Sequence, residues 1–394
     1  MKKWVIALSI LLGVSAIGSG VVLGKIYNKE LRTYEQQLDE TLNKEALKNV
    51  YIDSDVPVKI EVTNGEPRIE FNSTLTGILD KEPQFGLDVR EELDKTYITI
   101  EAKETANMTL FLDDVEILAT IYLPNQDINH LSVKSDSYYW VHGGTNLYFN
   151  IGDMNINNLE IQGSADELNL DGSYKSIAID SKYGNIDIHS KTPADVSIKE
   201  ANGNINLKGQ YALVDITSYG GSIDMASDIP SKVVINNYSG TSRLVGKYED
   251  IQIEGEYGDI WINSESACDI FVSTSGNVEL VGALKNVDMR SNYGRVNLMT
   301  VIEPQRINLL GEYENISLTL PNNIPGFEVT HQKDYEQQES IYTDFDVKRG
   351  IQEQTVDKLY LGNGNSKIRL EGSDSKITIL EGKAIPTLTN NVSE

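Results

Sequence analysis

Four closely similar stretches carry a tyrosine–glycine pair: KYGNIDIHS (182–190), SYGGSIDMA (218–226), EYGDIWINS (256–264) and NYGRVNLMT (292–300). Tyr183, Tyr219, Tyr257 and Tyr293 are 36, 38 and 36 residues apart. A ring returning on so regular a beat is either a ligand site copied along the chain or a corner the chain keeps turning. Glycine after the ring suits a bend that needs positive φ. The remaining chemistry-bearing residues form no recognisable constellation. His130, His142, His189 and His331 are isolated, with no H-E-x-x-H or other ligand spacing. There is no G-x-S-x-G, no Walker A loop and no tandem G-G-x-G-x-D calcium repeat. No catalytic residue, metal ligand or cofactor is therefore assigned. Acidic residues such as Asp187, Asp224 and Asp259 could hide a glycosidase pair, but solvation of a sheet surface explains them more simply.

Cys268 is the only cysteine, which excludes an internal disulfide and a cysteine-based zinc site. It lies two residues before the apolar pair Ile270 and Val272, where a small buried hydrophobe fits better than a reactive thiol. The 394 residues carry a formal net charge of −25, and residues 50–394 hold 27 Lys/Arg against 54 Asp/Glu. A body this acidic repels nucleic acid and anionic headgroups, so nucleic-acid binding is excluded.

The elements that position these residues begin at the N-terminus. Lys2 and Lys3 precede 21 uncharged residues, Trp4–Gly24, enough to span about 30 Å of hydrocarbon as a helix. An uncleaved signal-anchor is preferred to a cleaved signal peptide. Residues 1–25 are then a cytoplasmic tip and transmembrane helix, with the C-terminal body outside the cell. Residues 26–49 contain no Gly or Pro, and Leu31, Tyr34, Leu38 and Leu42 recur at helical spacings, which predicts a short stalk helix. From residue 50 the period becomes two. VKIEV (58–62), TYITIEA (96–102) and ILATIYLP (117–124) read as strands, and Asn64-Gly65 between VKIEV and RIEF predicts a hairpin. Residues 50–130 are an irregular β region that caps a regular repeat.

In that repeat, apolar-x-apolar pairs recur from Leu159/Ile161 to Ile316/Leu318, starting 8 to 11 residues apart and usually nine. Nine residues leave about four for each corner, too few for a crossover helix, so the chain must coil with two strands per turn. The expected fold is all-β: a parallel β-solenoid (β-helix) with about 18–19 residues per coil over 131–320. A loop-rich interruption over 321–358, final coils over 359–382 and a disordered tail over 383–394 complete the chain. Tyr174, Tyr211, Tyr248, Tyr183, Tyr257, Tyr293 and Tyr313 each stand three residues before an apolar pair, and Tyr219 and Tyr238 four before. The simplest reading is a stack of tyrosines capping successive corners. Lys175, Ala212, Glu249 and Glu314 replace the following glycine elsewhere.

Two places break the beat. SDSYYWVHGG (135–144) clusters Tyr138, Tyr139 and Trp140, which either stack on sugar rings or seal the open end of the coil. The stretch 331–357, with Tyr335, Tyr342 and Phe345, is the longest interruption and the second candidate binding element. In its motifs the chain resembles the LiaG-like adhesins, bacterial proteins built on a domain of unknown function. The matching stretches are IYLPNQDINHLSVKS (121–135), the repeated Tyr-Gly beat, LTLPNNIPGFEV (318–329), IYTDF (341–345) and LYLGNGNSKIRLEGSDSKITIL (359–380). The resemblance spans residues 50–380 with the anchor, and implies a β-solenoid in the bacterial cell envelope with no catalytic residues. The expected function is a single-pass, plasma-membrane-anchored extracellular binding or scaffold protein, an adhesin or envelope-stress component, whose partner is an envelope polysaccharide or envelope protein. The rival is a β-helix polysaccharide lyase or hydrolase, and open coil ends offer a third route, self-assembly.

Overall fold

The computed structural model describes residues 31–78, 82–104, 111–135, 147–151, 154–163, 167–181, 184–312, 315–332, 341–349, 356–371 and 376–382. The expected anchor at 4–24, the tail at 383–394, and Tyr138, Tyr139, Trp140, Tyr183 and Tyr335 lie outside these residues. Among the described residues no helix is long and apolar enough to cross a membrane. The described chain is nearly all strand, with a single 3-10 turn at Lys44–Ala46.

Two compact units divide the chain: residues 1–125 with 134–147, and 126–133 with 148–394. In the first, Arg32–Thr41 lies antiparallel to Arg68–Ile78 in continuous register, from Arg32 opposite Gly77 to Thr41 opposite Arg68. The expected stalk helix is therefore wrong over these residues. Its signal was ambiguous for a physical reason: Tyr34, Leu38 and Leu42 are spaced by four, an even number that also keeps them on one face of a strand. Only Leu31 breaks that period, and it is 58% exposed. The Asn64-Gly65 hairpin is also corrected. Val58–Thr63 runs parallel to Phe111–Pro124, and Arg68–Ile78 runs antiparallel to the same strand. The turn forms, but a third strand is inserted between its two arms. That strand brings Ile117, Ala119, Ile121 and Leu123 to the core, all buried, and outcompetes a direct pairing.

The second unit carries the repeat. Ile186, Ile205, Ile223, Ser242, Ile260, Val278 and Val296 form one parallel row, each in register with the next at steps of 18 or 19 residues. Ile177, Val196, Val214, Val233, Ile251, Ile270, Val287 and Ile307 form a second. Both rows are buried, and each large aliphatic side chain taken from water contributes about 1.5–3 kcal/mol. One parallel step per 17 to 20 residues with two buried rows is a solenoid-like coil. The strands are longer than the expected short pairs. Glu167–Ser181, Ile205–Ser218 and Ile223–Asn237 each run through one corner and break only at the other. Register shifts such as that between Gly209 and Leu213 mark the corner the strand runs through. Buried hydroxyls bridge both kinds of corner: Ser190, Ser218, Ser264 and Ser291 each donate at 2.7 Å to the carbonyl two residues ahead.

The breaking corner explains the glycines. Gly184, Gly203, Gly221, Gly240, Gly258, Gly276 and Gly294 stack coil upon coil, and from Gly203 onward a Cβ would collide with the carbonyl oxygen of the glycine before it. The backbones approach too closely for any side chain.

The interruption is also revised. The strands after Asn315–Pro321 do not follow in chain order: Ser366–Glu371 pairs with Arg306–Glu312, and Lys376–Gly382 with Asn315–Pro321. Those two supply the next coil, and Gly326–Gln332 and Ile341–Thr343 pair on their far side. Residues 321–358 thus contain strands rather than loops alone. Leu359 and Leu361, expected to begin the final coils, lie on Val356–Gly362, antiparallel to Gly326–Gln332. Positive φ at Gly362 and Gly364 (56° and 66°) turns the chain there.

Gly221 has φ of 86°, whereas an added Cβ on its neighbour Gly220 meets nothing nearer than 3.6 Å. Gly221→Ala is expected to destabilise the coil by about 2 kcal/mol or more, and Gly220→Ala by no more than about 0.5 kcal/mol. Comparing thermal unfolding of the two variants by circular dichroism tests the glycine stack.

Candidate binding face

Corner tyrosines divide into two sets, which the spacing to the next apolar pair does not separate. Tyr174, Tyr211 and Tyr248, 37 residues apart, are buried. The Tyr211 hydroxyl lies 2.7 Å from the carbonyl oxygens of Ile188 and Lys208, and that of Tyr248 lies 2.8 Å from Val245 O and 3.2 Å from Met225 O. Each ring occupies every second coil, with a small residue between: Ala194 is in register with Tyr211, and Ser231 with Tyr248. Thr192, Ser231 and Ser266 donate to the carbonyls of Tyr174, Tyr211 and Tyr248 at 2.9, 2.6 and 2.7 Å. Burial holds all three phenols well above their ordinary range. These are the expected caps.

Tyr219, Tyr238, Tyr257 and Tyr293 are 54–67% exposed. They stand at the glycine corner, Tyr293 itself with φ of 78°. The signal that separates the sets was legible: a glycine one or two residues after the ring marks the exposed corner, and Lys175, Ala212 or Glu249 marks the buried one. Tyr238 and Tyr257 meet edge to face, centroids 6.3 Å apart at 80°. The neighbouring Glu256 carboxylate raises both phenol pKa values. A pair of rings in contact on a rigid corner presents apolar faces to solvent with little rotamer freedom to lose on binding.

Beside this corner an open groove of about 540 Å³ runs over the sheet face, lined by Trp261, Glu279, Asn297 and Ser317 with Asp259 and Arg295 at its edge. Trp261, Glu279, Asn297, Ser317 and Thr378 are one cross-coil row, and Tyr342 continues it. The Arg243 guanidinium lies 4.8 Å from the centre of the Trp261 ring. Trp261 carried no signal in the sequence, because a single aromatic at an outward position looks like any half-buried strand residue.

Of the expected site residues inside the described chain, Tyr342 is 62% exposed on that row. Phe345 is half-buried, its ring at 5.2 Å and 81° to that of the buried Phe327. Cys268 is buried, and burial pushes its thiol up from 9.0 to about 11. Among the described residues no group of three or more His, Cys, Asp or Glu is placed to hold a metal ion.

No family model matches the chain, and no curated protein matches it significantly. Among solved structures, a "putative cell adhesion protein" from Clostridium sporogenes aligns at 9% identity and a TM-score of 0.17, covering 88% of this chain and 100% of that one. A "putative adhesin" from Parabacteroides merdae aligns at 11% identity and 0.25, covering 89% and 97%. Another from Bacteroides fragilis aligns at 8% and 0.20, covering 88% and 97%. Similarities of this size assign neither family nor function.

Two measurements check the geometry. Replacing the carboxylate with Glu256→Gln should let two phenols ionise at lower pH than in the parent chain, read as a difference in tyrosinate absorbance on alkaline titration. Because the folded Cys268 pKa is raised, its contribution to stability is present below pH 9 and is lost as pH rises toward 11. Alkylation of this single thiol should therefore be negligible at pH 8 and should track unfolding above pH 9.

Proposed function

We propose that this protein is a binding module displayed on the outer side of a bacterial plasma membrane, anchored by residues 4–24 and extended by its coil into the envelope. The exposed tyrosines of the glycine corner carry this reading. Four large rings facing solvent on one corner are not required by the stacking, since Asn202 and Ser275 occupy equivalent corner positions in other coils. The anchor rests on 21 uncharged residues behind Lys2 and Lys3. The resemblance to LiaG-like adhesins in the order of the motifs points to the same setting. An envelope polysaccharide or envelope protein is the partner class that such a setting offers.

The test is retention of the full-length chain on isolated bacterial envelopes. The triple variant Tyr238→Ala, Tyr257→Ala, Tyr293→Ala is expected to lose roughly tenfold or more in retention, since aromatic contacts are worth about 0.5–1.5 kcal/mol each beyond their area. Its melting temperature should stay close to that of the parent, because all three rings are exposed. Unchanged retention would remove the corner as the binding element, and release of reducing sugar from the envelopes would replace binding with catalysis.

A further inference from the structure

The row that begins at Trp261 has a graded profile. Moving one strand at a time, the outward residues are Trp261, Glu279, Asn297, Ser317, Thr378 and Tyr342. Side chains shrink from an indole to a hydroxymethyl and rise again to a phenol, so two aromatic rings bound a polar trough. Five strand spacings of about 4.8 Å separate the ends by about 24 Å. Arg243 stacks on Trp261 from the preceding coil and is not part of the groove lining, so it backs the ring on the side away from the trough. A cation held against the ring fixes its orientation before any ligand arrives. The trough floor offers a carboxylate, an amide and two hydroxyls, which together accept and donate to hydroxyl groups. Tyr257 and Tyr293, at the corner beside the groove, add exposed rings along its flank.

We infer that a neutral, extended saccharide chain lies in this trough along the coil axis, with its terminal pyranose rings stacked on Trp261 and Tyr342. Pyranose rings present a C–H face to an aromatic and hydroxyl edges to polar groups, which is the alternation the row provides. An extended chain of such rings advances by close to one strand spacing per ring, so successive sugars meet successive coils. Charge selects the neutral class. The chain carries a net −25, and the groove is lined by two acids, Asp259 and Glu279, against one cation, Arg295, so its lining is net acidic. A polyuronate or polyphosphate would meet that net negative lining and the acidic body around it.

The inference rests on the reading of this face as a binding surface. Full-length chain in a sugar-free detergent is titrated with cellohexaose, chitohexaose, their disaccharides and hexagalacturonate. At least one neutral hexamer should bind tenfold or more tightly than its disaccharide, and hexagalacturonate should bind at least tenfold more weakly than that hexamer. Trp261→Ala and Tyr342→Ala should each weaken the hexamer tenfold or more. Asn297→Arg, which fills the middle of the trough from an exposed position, should abolish binding even if the tryptophan variant is poorly folded. No binding of either neutral hexamer, equal affinity for dimer and hexamer, preference for hexagalacturonate, or indifference to Asn297→Arg would each overturn the proposal. A chain retained on whole envelopes yet indifferent to both neutral hexamers sinks this inference alone. A chain not retained on envelopes at all sinks the broader reading as well.

Discussion

Parallel, in-register stacking at about 4.8 Å sets nearly everything else in the second unit, because it places every residue between two copies of its own position. What is tolerable at a position is then what tolerates its own repetition. Aliphatic residues do, and the two buried rows are almost unbroken Ile, Val and Leu. Amides also do: the side-chain oxygen of Asn185 accepts the backbone N–H of Asn204, and Asn204 in turn accepts that of Ser222. The same ladder runs from Asp259 to Asn277 to Arg295. Carboxylates and large buried rings do so poorly, and the sequence shows how each is handled.

For carboxylates the solution is alternation. The outward row Asn169, Asp187, Asn206, Asp224, Arg243 never sets two acids side by side, and Asn206 donates to Asp187 at 2.6 Å. On the opposite sheet the row Glu160, Ala178, Ser197, Asp215, Val234, Gln252, Phe271, Asp288 obeys the same rule. Asp288 is met by Arg306 at 2.5 Å and Asn308 at 2.6 Å. Asp250 and Asp269 do meet in register, and there Asn286 and Lys285 face Asp269; the net charge of −25 is thus spread with little stacked repulsion, and exposed pairs of this kind need contribute little individually. For the buried tyrosines the solution is the two-coil period, in which Ala194 and Ser231 leave room for the rings above and below; at the exposed corner Tyr238 and Tyr257 sit on successive coils and tilt edge to face.

These rules say why part of the structure was legible and part was not. The paired apolar residues from Leu159 to Leu318 announce a parallel coil because burial on one face with a nine-residue step admits few alternatives. Strand order is a different kind of information. Nothing local to Val58–Thr63 or Val356–Gly362 records that a third strand will sit between it and its sequence neighbour, since each pairing is decided by which strand offers the larger apolar face. The stretch around Tyr34 and Leu38 failed for a narrower reason, because a spacing of four fits both periods. The two tyrosine sets lay between these extremes. The following glycine distinguished them, but its meaning depends on a close backbone approach between coils that becomes visible only once they are stacked.

A scaffold whose positions are dictated by repetition carries its specificity in the positions that depart from it. In the row of Asn, Asp and Arg that leads to Trp261, no stacking requirement calls for an indole. The same holds for exposed rings at a corner where asparagine and serine also serve. Such residues cost solubility without adding to the core. They cluster on one side of the coil, at the glycine corner and the groove beside it, where the rigid backbone fixes their spacing to that of the strands. A ligand that itself repeats on that spacing is the one such a surface can hold at many points at once. The regularity that builds the fold thereby also selects the kind of molecule it can recognise.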